Sequence, residues 1–101
     1  MAQRKSQIKE RQRIGVKEPS NYYVVMHNDD VTTMDFVIMI LKQIFFYDDN
    51  TAVEIMLQVH NADKAIVGTY TYDIAQSKAQ KATAMARKEN FPLLLTVEPE
   101  K

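Results

Sequence analysis

The sequence predicts an α/β domain: a two-layer sandwich in the order β-α-α-β-α-β, with a three-stranded sheet packed against helices. Three observations carry this expectation. Short β-branched or aromatic runs recur near residues 22–26, 65–70 and 93–97, a helical apolar period fills the intervals between them, and turn or capping residues stand at the junctions. With 101 residues the chain can close one hydrophobic core and is too short for two.

Hydrophobic residues make up 46% and charged residues 26%, the balance of an ordinary soluble globular protein. With only two glycines there is little material for a phosphate-cradling loop, and without cysteine neither a disulfide framework nor a thiolate metal site can form. No apolar run approaches the roughly 20 residues of a membrane span, and no basic segment leads into an apolar one as in a secretory signal. A monomeric cytoplasmic protein is therefore expected, with no membrane association. The zero net charge hides an asymmetry: residues 1–18 hold six of the thirteen basic residues but only two of the thirteen acidic ones, so the rest of the chain is acidic. Ile8, Ile14 and Val16 are the only sizeable aliphatics there beyond Met1, too few to offset the entropy of ordering. Residues 1–20 are thus expected to be a flexible basic extension, and residues 21–101 the folded core domain.

Tyr22-Tyr23-Val24-Val25-Met26, bounded by Pro19-Ser20 and by Asn28-Asp29-Asp30, reads as the first strand. Thr32, with Asp35 three residues on, offers an approximate capping box for a first helix. Met34, Val37, Ile38, Leu41, Ile44 and Phe45 then mark one buried helical face, and Phe36, Met39 and Ile40 widen it. Tyr47-Asp48-Asp49-Asn50 breaks the pattern and opens a second helix, Thr51 to about Asn61. Ala65 to Tyr70 reads as a second strand, with Thr71 and Asp73 placed to cap a third helix from Tyr72 to about Glu89. Ala75, Ala79, Ala82 and Ala86 give that helix a row of small residues, so it can lie close to whatever it covers. Asn90-Phe91-Pro92 stops it before the last strand, Leu93 to Val97.

Chemistry-bearing residues are few. His27, Asn28, Asp29 and Asp30 stand at the exit of the first strand, and His60 lies on the second helix. Such a set is able to ligate a metal or act as base and orienter, but there is no H-x-x-x-H pair, no serine elbow and no glycine-rich loop. A nucleic-acid reader would present a basic face with interleaved aromatics, and this body is acidic. The plainest alternative makes Asn28-Asp29-Asp30 a turn and His60 a satisfied core histidine.

The stretch from Val25 to Val37, Val-Met-His-Asn-Asp-Asp-Val-Thr-Thr-Met-Asp-Phe-Val, resembles the N-D-D-x-T-x-M-[ED]-F-V signature of the ClpS family, adaptors of the bacterial Clp AAA+ protease. Met56-Leu57-Gln58-Val59-His60, Lys64-Ala65-Ile66-Val67-Gly68 and Asn90-Phe91-Pro92-Leu93-Leu94 continue the match in order, from about Tyr22 to Val97. The resemblance implies a non-enzymatic adaptor without cofactor or metal. It would recognise N-degrons, proteins beginning with a bulky Leu, Phe, Tyr or Trp, and deliver them to a ClpA-type unfoldase. It also implies roles for residues: Asn28, Asp29 and His60 bind the α-amine, Asp30 and Thr32 support the site, and Met34, Val37, Met56, Val59 and Leu93 form the hydrophobic pocket. The unfoldase-docking surface would fall near Asp73 and Lys78, and the basic extension would engage the unfoldase during delivery. Two departures from the family pattern stand at the site: Thr33 where many relatives carry Pro, and Val31 where an aromatic is common. Other readings of the residues are a peptide-binding module serving a different degradation partner, or a metal-dependent enzyme.

Overall fold

A computed structural model describes residues 21–100. The basic extension expected over residues 1–20 lies outside the described residues. Three strands and three helices follow in the order β1 (Tyr22–His27), α1 (Met34–Gln43), α2 (Asp49–Ala62), β2 (Lys64–Tyr70), α3 (Tyr72–Lys88) and β3 (Leu94–Pro99). This is the β-α-α-β-α-β order expected from the sequence. The strand order, which sequence does not dictate, is β2-β1-β3, with β1 in the centre and antiparallel to both neighbours.

Alternation along β1 explains its central place. Val24 and Met26 are fully buried and enter the core with Val67 of β2 and Leu95 of β3. Between Val24 and Val25 the register to β2 shifts by one residue, a bulge that leaves Val67 without a ladder partner. Its carbonyl accepts the Tyr47 hydroxyl at 2.7 Å instead. Gly68, beside the bulge, lies under the Tyr70 side chain, which fills the space where a Cβ would stand.

The helices begin and end on identifiable groups. α1 is capped by Thr33, whose hydroxyl accepts from Phe36 N at 3.2 Å. The cap expected at Thr32 therefore falls one residue later, because the Thr32 hydroxyl is engaged elsewhere. Asp48 caps α2 through Thr51 N at 2.8 Å. At α3, Thr71 occupies the N-cap position but makes no side-chain cap bond. Asn90, at φ 63°, closes α3, with Phe91 N reaching the Ala86 carbonyl and Asn90 N that of Arg87, the paired bonds of a Schellman ending. Phe46 follows α1 at φ 63°, a backbone conformation that costs a bulky L-residue about 1–2 kcal/mol.

α2 and α3 lie against the sheet and α1 packs on α2. Ala75, Ala82 and Ala86 are fully buried and Ala79 is nearly so, so the alanine row is the face that lets α3 approach the strands closely. A Phe36–Phe91 edge-to-face pair, centroids 5.0 Å apart, ties α1 to the α3–β3 connection. Close approach leaves no space for added methylenes: Ala82→Leu should lower unfolding stability by roughly 1–3 kcal/mol. Urea unfolding checks this, and an unchanged midpoint would mean that α3 can stand off the sheet without cost.

Candidate functional site

The site begins where β1 leaves the sheet. The Asn28 backbone N–H donates to the Asp63 carbonyl at 2.8 Å. Asp63 closes α2 in a left-handed conformation, φ 75°, so the exit of β1 is fastened to the end of the helix that carries His60.

One residue further, Asp29 organises the turn into α1. Its Oδ1 accepts from Val31 N at 2.8 Å and Thr32 N at 2.7 Å, and its Oδ2 accepts the Thr32 hydroxyl at 2.8 Å. Partial desolvation pushes its pKa up. The bonds from the Thr32 and Val31 amides and the Thr32 hydroxyl, with the positive charge of Arg87, outweigh that and hold the carboxyl below its ordinary range. A carboxylate offers about four acceptor sites. Three are used within the turn, so Asp29 stays ionised and oriented while keeping capacity for one more donor.

Thr33 then starts α1, which presents Met34 and Val37 one turn apart. From the other side α2 presents Met56, Val59 and His60 at the i, i+3 and i+4 spacing that places side chains on one row. Together these elements enclose a cavity of about 230 Å³ lined by Asn28, Asp29, Asp30, Thr32, Met34, Val37, Met56, Val59 and His60. Val37, Met56 and Val59 are buried in its floor, whereas Met34 is 46% exposed at the edge. His60 is exposed, so it is not a satisfied core histidine. The arrangement sets amide, carboxylate and imidazole acceptors against an apolar wall.

Nine of the ten side chains expected at the amine site and pocket thus line one cavity. Leu93 is not among the lining residues: it is 1% exposed and sits in the core. Its carbonyl and that of Phe91 accept from Arg87 Nη1 at 2.9 and 2.8 Å, so the segment around it braces the core behind the site. Asp73 and Lys78 on α3 are not part of this cavity either. Asp73 is exposed, while the Lys78 ammonium reaches the Ile44 carbonyl at 2.6 Å. The internal bonding of the turn is what sequence reading missed. An Asp followed by Thr three residues later is a side-chain-to-backbone turn signal, and it was legible in Asp29-Asp30-Val31-Thr32.

Among the described residues, no group of three or more His, Asp or Glu side chains is placed to hold a metal ion. No helix among them is long and apolar enough to cross a membrane.

Comparison with known proteins agrees with this geometry. The family model of the ATP-dependent Clp protease adaptor protein ClpS matches residues 17–96. The chain is 47% identical over 93 residues to the ATP-dependent Clp protease adapter protein ClpS of Vibrio atlanticus, covering 92% of this chain and 88% of that protein. It is 45% identical to the adapter of the same name from Acetivibrio thermocellus, covering 95% of this chain and 97% of that protein. Among solved structures it is similar to Agrobacterium tumefaciens ClpS2 bound to L-phenylalaninamide, with a TM-score of 0.79 and 37% identity over 82% of this chain and all of that one. Most of the folded chain lies within these matches, from the acceptor turn to β3, and the protein therefore belongs to the ClpS family of Clp protease adaptors, which are not enzymes.

Proposed function

We propose that the protein binds the free N-terminus of polypeptides beginning with Leu, Phe, Tyr or Trp and delivers them to a ClpA-type AAA+ unfoldase for degradation. In this reading it acts as a cytoplasmic monomer. One observation carries it: a single cavity faces hydrogen-bond acceptors on one side and aliphatic and thioether side chains on the other. L-Phenylalaninamide, bound by the Agrobacterium relative, has the matching chemistry of a free α-amine beside a bulky apolar side chain.

A free α-amine has a pKa near 7.7–8.0, so at neutral pH it is mostly an ammonium with three donors. Asn28, Asp29 and His60 offer an amide oxygen, a carboxylate and an imidazole nitrogen to those donors. Met34, Val37, Met56 and Val59 receive the side chain. At about 230 Å³ the cavity exceeds the roughly 150 Å³ in which a buried apolar void accepts benzene, leaving space for the ammonium end. Burial of the side chain contributes roughly 1.5–3 kcal/mol and each charge-assisted hydrogen bond roughly 1.5–3. Desolvation of the ammonium and lost translational and rotational freedom oppose them by several kcal/mol. Micromolar affinity, about −8 kcal/mol, is reached only where these contributions stand at the upper end of their ranges, and neither half of the site reaches it alone. Docking to the unfoldase is assigned to the side of α3 bearing Asp73 and Lys78, with residues 1–18 engaging the unfoldase during delivery.

Fluorescence anisotropy with a Leu-initiated peptide, its acetylated form and a Gly-initiated control tests the pocket. Only the first should bind at micromolar concentration, and equal binding of the acetylated peptide would exclude an amine site. Asp29→Ala and His60→Ala should each weaken the Leu peptide by about 2 kcal/mol or more, the cost of leaving a buried charge without a partner; a variant that binds normally removes that residue from the site.

Thr32 acts through Asp29. A carboxyl whose folded pKa lies below the unfolded value of 3.8 contributes stability that is present above that value and lost as pH falls through the folded one. Thr32→Val deletes one of the three donors. It should weaken peptide binding at pH 7 by about 1 kcal/mol and move the acid limb of the unfolding profile to higher pH. An unmoved limb would show that the hydroxyl does not hold the carboxylate.

Met34 stands at the mouth, and a flexible thioether can close over an unbranched Cβ but crowds a β-branched one. The wild type should therefore prefer Leu- over Ile-initiated peptides, and Met34→Ala should narrow that preference. Equal affinity of the wild type for both peptides would eliminate the gate.

A further inference from the structure

Phe46 is the most exposed large hydrophobic side chain among the described residues, at 78%, and its backbone is held at φ 63°. The core does not need its ring: Phe45 and Tyr47 on either side make the inward contacts. Against one face of that ring lies the Lys78 ammonium, 4.4 Å from the centroid. The same ammonium is 5.2 Å from the Tyr70 ring and 5.8 Å from that of Phe45, and it donates to the Ile44 carbonyl at 2.6 Å. Its pKa is lowered by desolvation and then by the nearby charge of Lys81. Among the described residues no carboxylate forms a salt bridge with Lys78 or Lys81. Ile74, 49% exposed, stands one turn before Lys78 on the same row of α3. The surface therefore carries an exposed aromatic after α1 and, along α3, an exposed aliphatic and two neighbouring cations.

We propose that Phe46 is the apolar anchor of the unfoldase-docking surface, entering a pocket on the AAA+ partner whose rim carries carboxylates for Lys78 and Lys81. The proposal rests on the delivery role given under Proposed function and adds to it a residue outside every block that carries the family resemblance. Aromatic side chains ringed by polar contacts are the usual energetic centres of interfaces. Charge selects the occupant. A second copy docked through the same patch about a two-fold axis would offer Lys78 and Lys81 only the single carboxylate of Asp73 on this side of α3, whereas an acidic partner surface pairs both. The left-handed backbone and the exposed ring share a residue that glycine would satisfy at lower conformational cost, which separates the fold's requirement from the interface's.

The test uses the full chain as wild type, Phe46→Ala, Phe46→Gly and Lys81→Glu, with a purified ClpA-type unfoldase. Three quantities are measured: unfoldase affinity, Leu-peptide affinity and melting temperature. Both Phe46 variants should lose at least tenfold in unfoldase affinity while binding the peptide as wild type does, and Phe46→Gly should melt at a higher temperature. Lys81→Glu should also weaken the unfoldase complex, with a shallower salt dependence. Wild-type unfoldase affinity in both Phe46 variants would overturn the anchor while leaving the delivery role intact. Failure of the wild type itself to bind the unfoldase, with peptide binding preserved, would overturn the delivery role and the anchor with it. Self-association of the wild type in sedimentation, abolished by Phe46→Ala, would replace the unfoldase with a second copy as the occupant.

Discussion

The site depends on a carboxylate that the fold already holds in place. Asp29 takes two amide bonds and one hydroxyl bond from Val31 and Thr32, so its charge is fixed in place without any ligand. An exposed aspartate free to rotate would lose side-chain entropy on meeting a cation and regain water when the cation left. Here the ordering cost is met by the fold. The same bonds occupy the Thr32 hydroxyl, which is why the cap of α1 moves to Thr33 and why Met34, the first residue of the helix, sits at the mouth of the cavity.

The second constraint is the bond from Asn28 N to the Asp63 carbonyl. It joins the strand exit to the end of α2 and so fixes the distance between the acceptor turn and the His60 row. Behind it, Arg87 draws the Phe91 and Leu93 carbonyls together while its charge favours the ionised form of Asp29. Apolar floor and polar rim are thereby parts of one rigid frame. An ammonium is costly to desolvate and a hydrophobic side chain binds weakly by itself. A frame that presents both halves at fixed separation lets one ligand satisfy both without reorganising the protein.

Much of this was legible before the structure. Apolar periodicity placed every strand and helix within two or three residues, because each element buries one face and the pattern records which. Asn28, Asp29, Met34, Met56, Val59 and His60 could be named from the family signature, and helical spacing alone put the last three on one row. What remained hidden depends on pairings between distant segments. The order β2-β1-β3 follows from how β1 contacts β2 and β3, and a strand's own pattern does not name its neighbours. Leu93 carries the same apolar signal as Val59, and only the three-dimensional arrangement shows which of these two buried side chains lines the cavity. Phe46 is a second phenylalanine directly after Phe45; that it lies outside the core and in the left-handed region is visible only in three dimensions.

The roles proposed for Met34 and Phe46 would divide the labour of the small domain between its two ends. The pair flanks α1, whose ten residues span about 15 Å at 1.5 Å per residue. The peptide cavity takes its edge from the start of this helix, and the aromatic–lysine patch follows its end. Between them Ile40 and Leu41 are fully buried and Val37, Ile44 and Phe45 nearly so, so the helix cannot slide or tilt without disturbing the core. With the two sites proposed above, a bound N-terminus and a bound partner would share no side chain, so their binding free energies should add with little coupling. Such independence suits a carrier, which must keep hold of one molecule while it engages another.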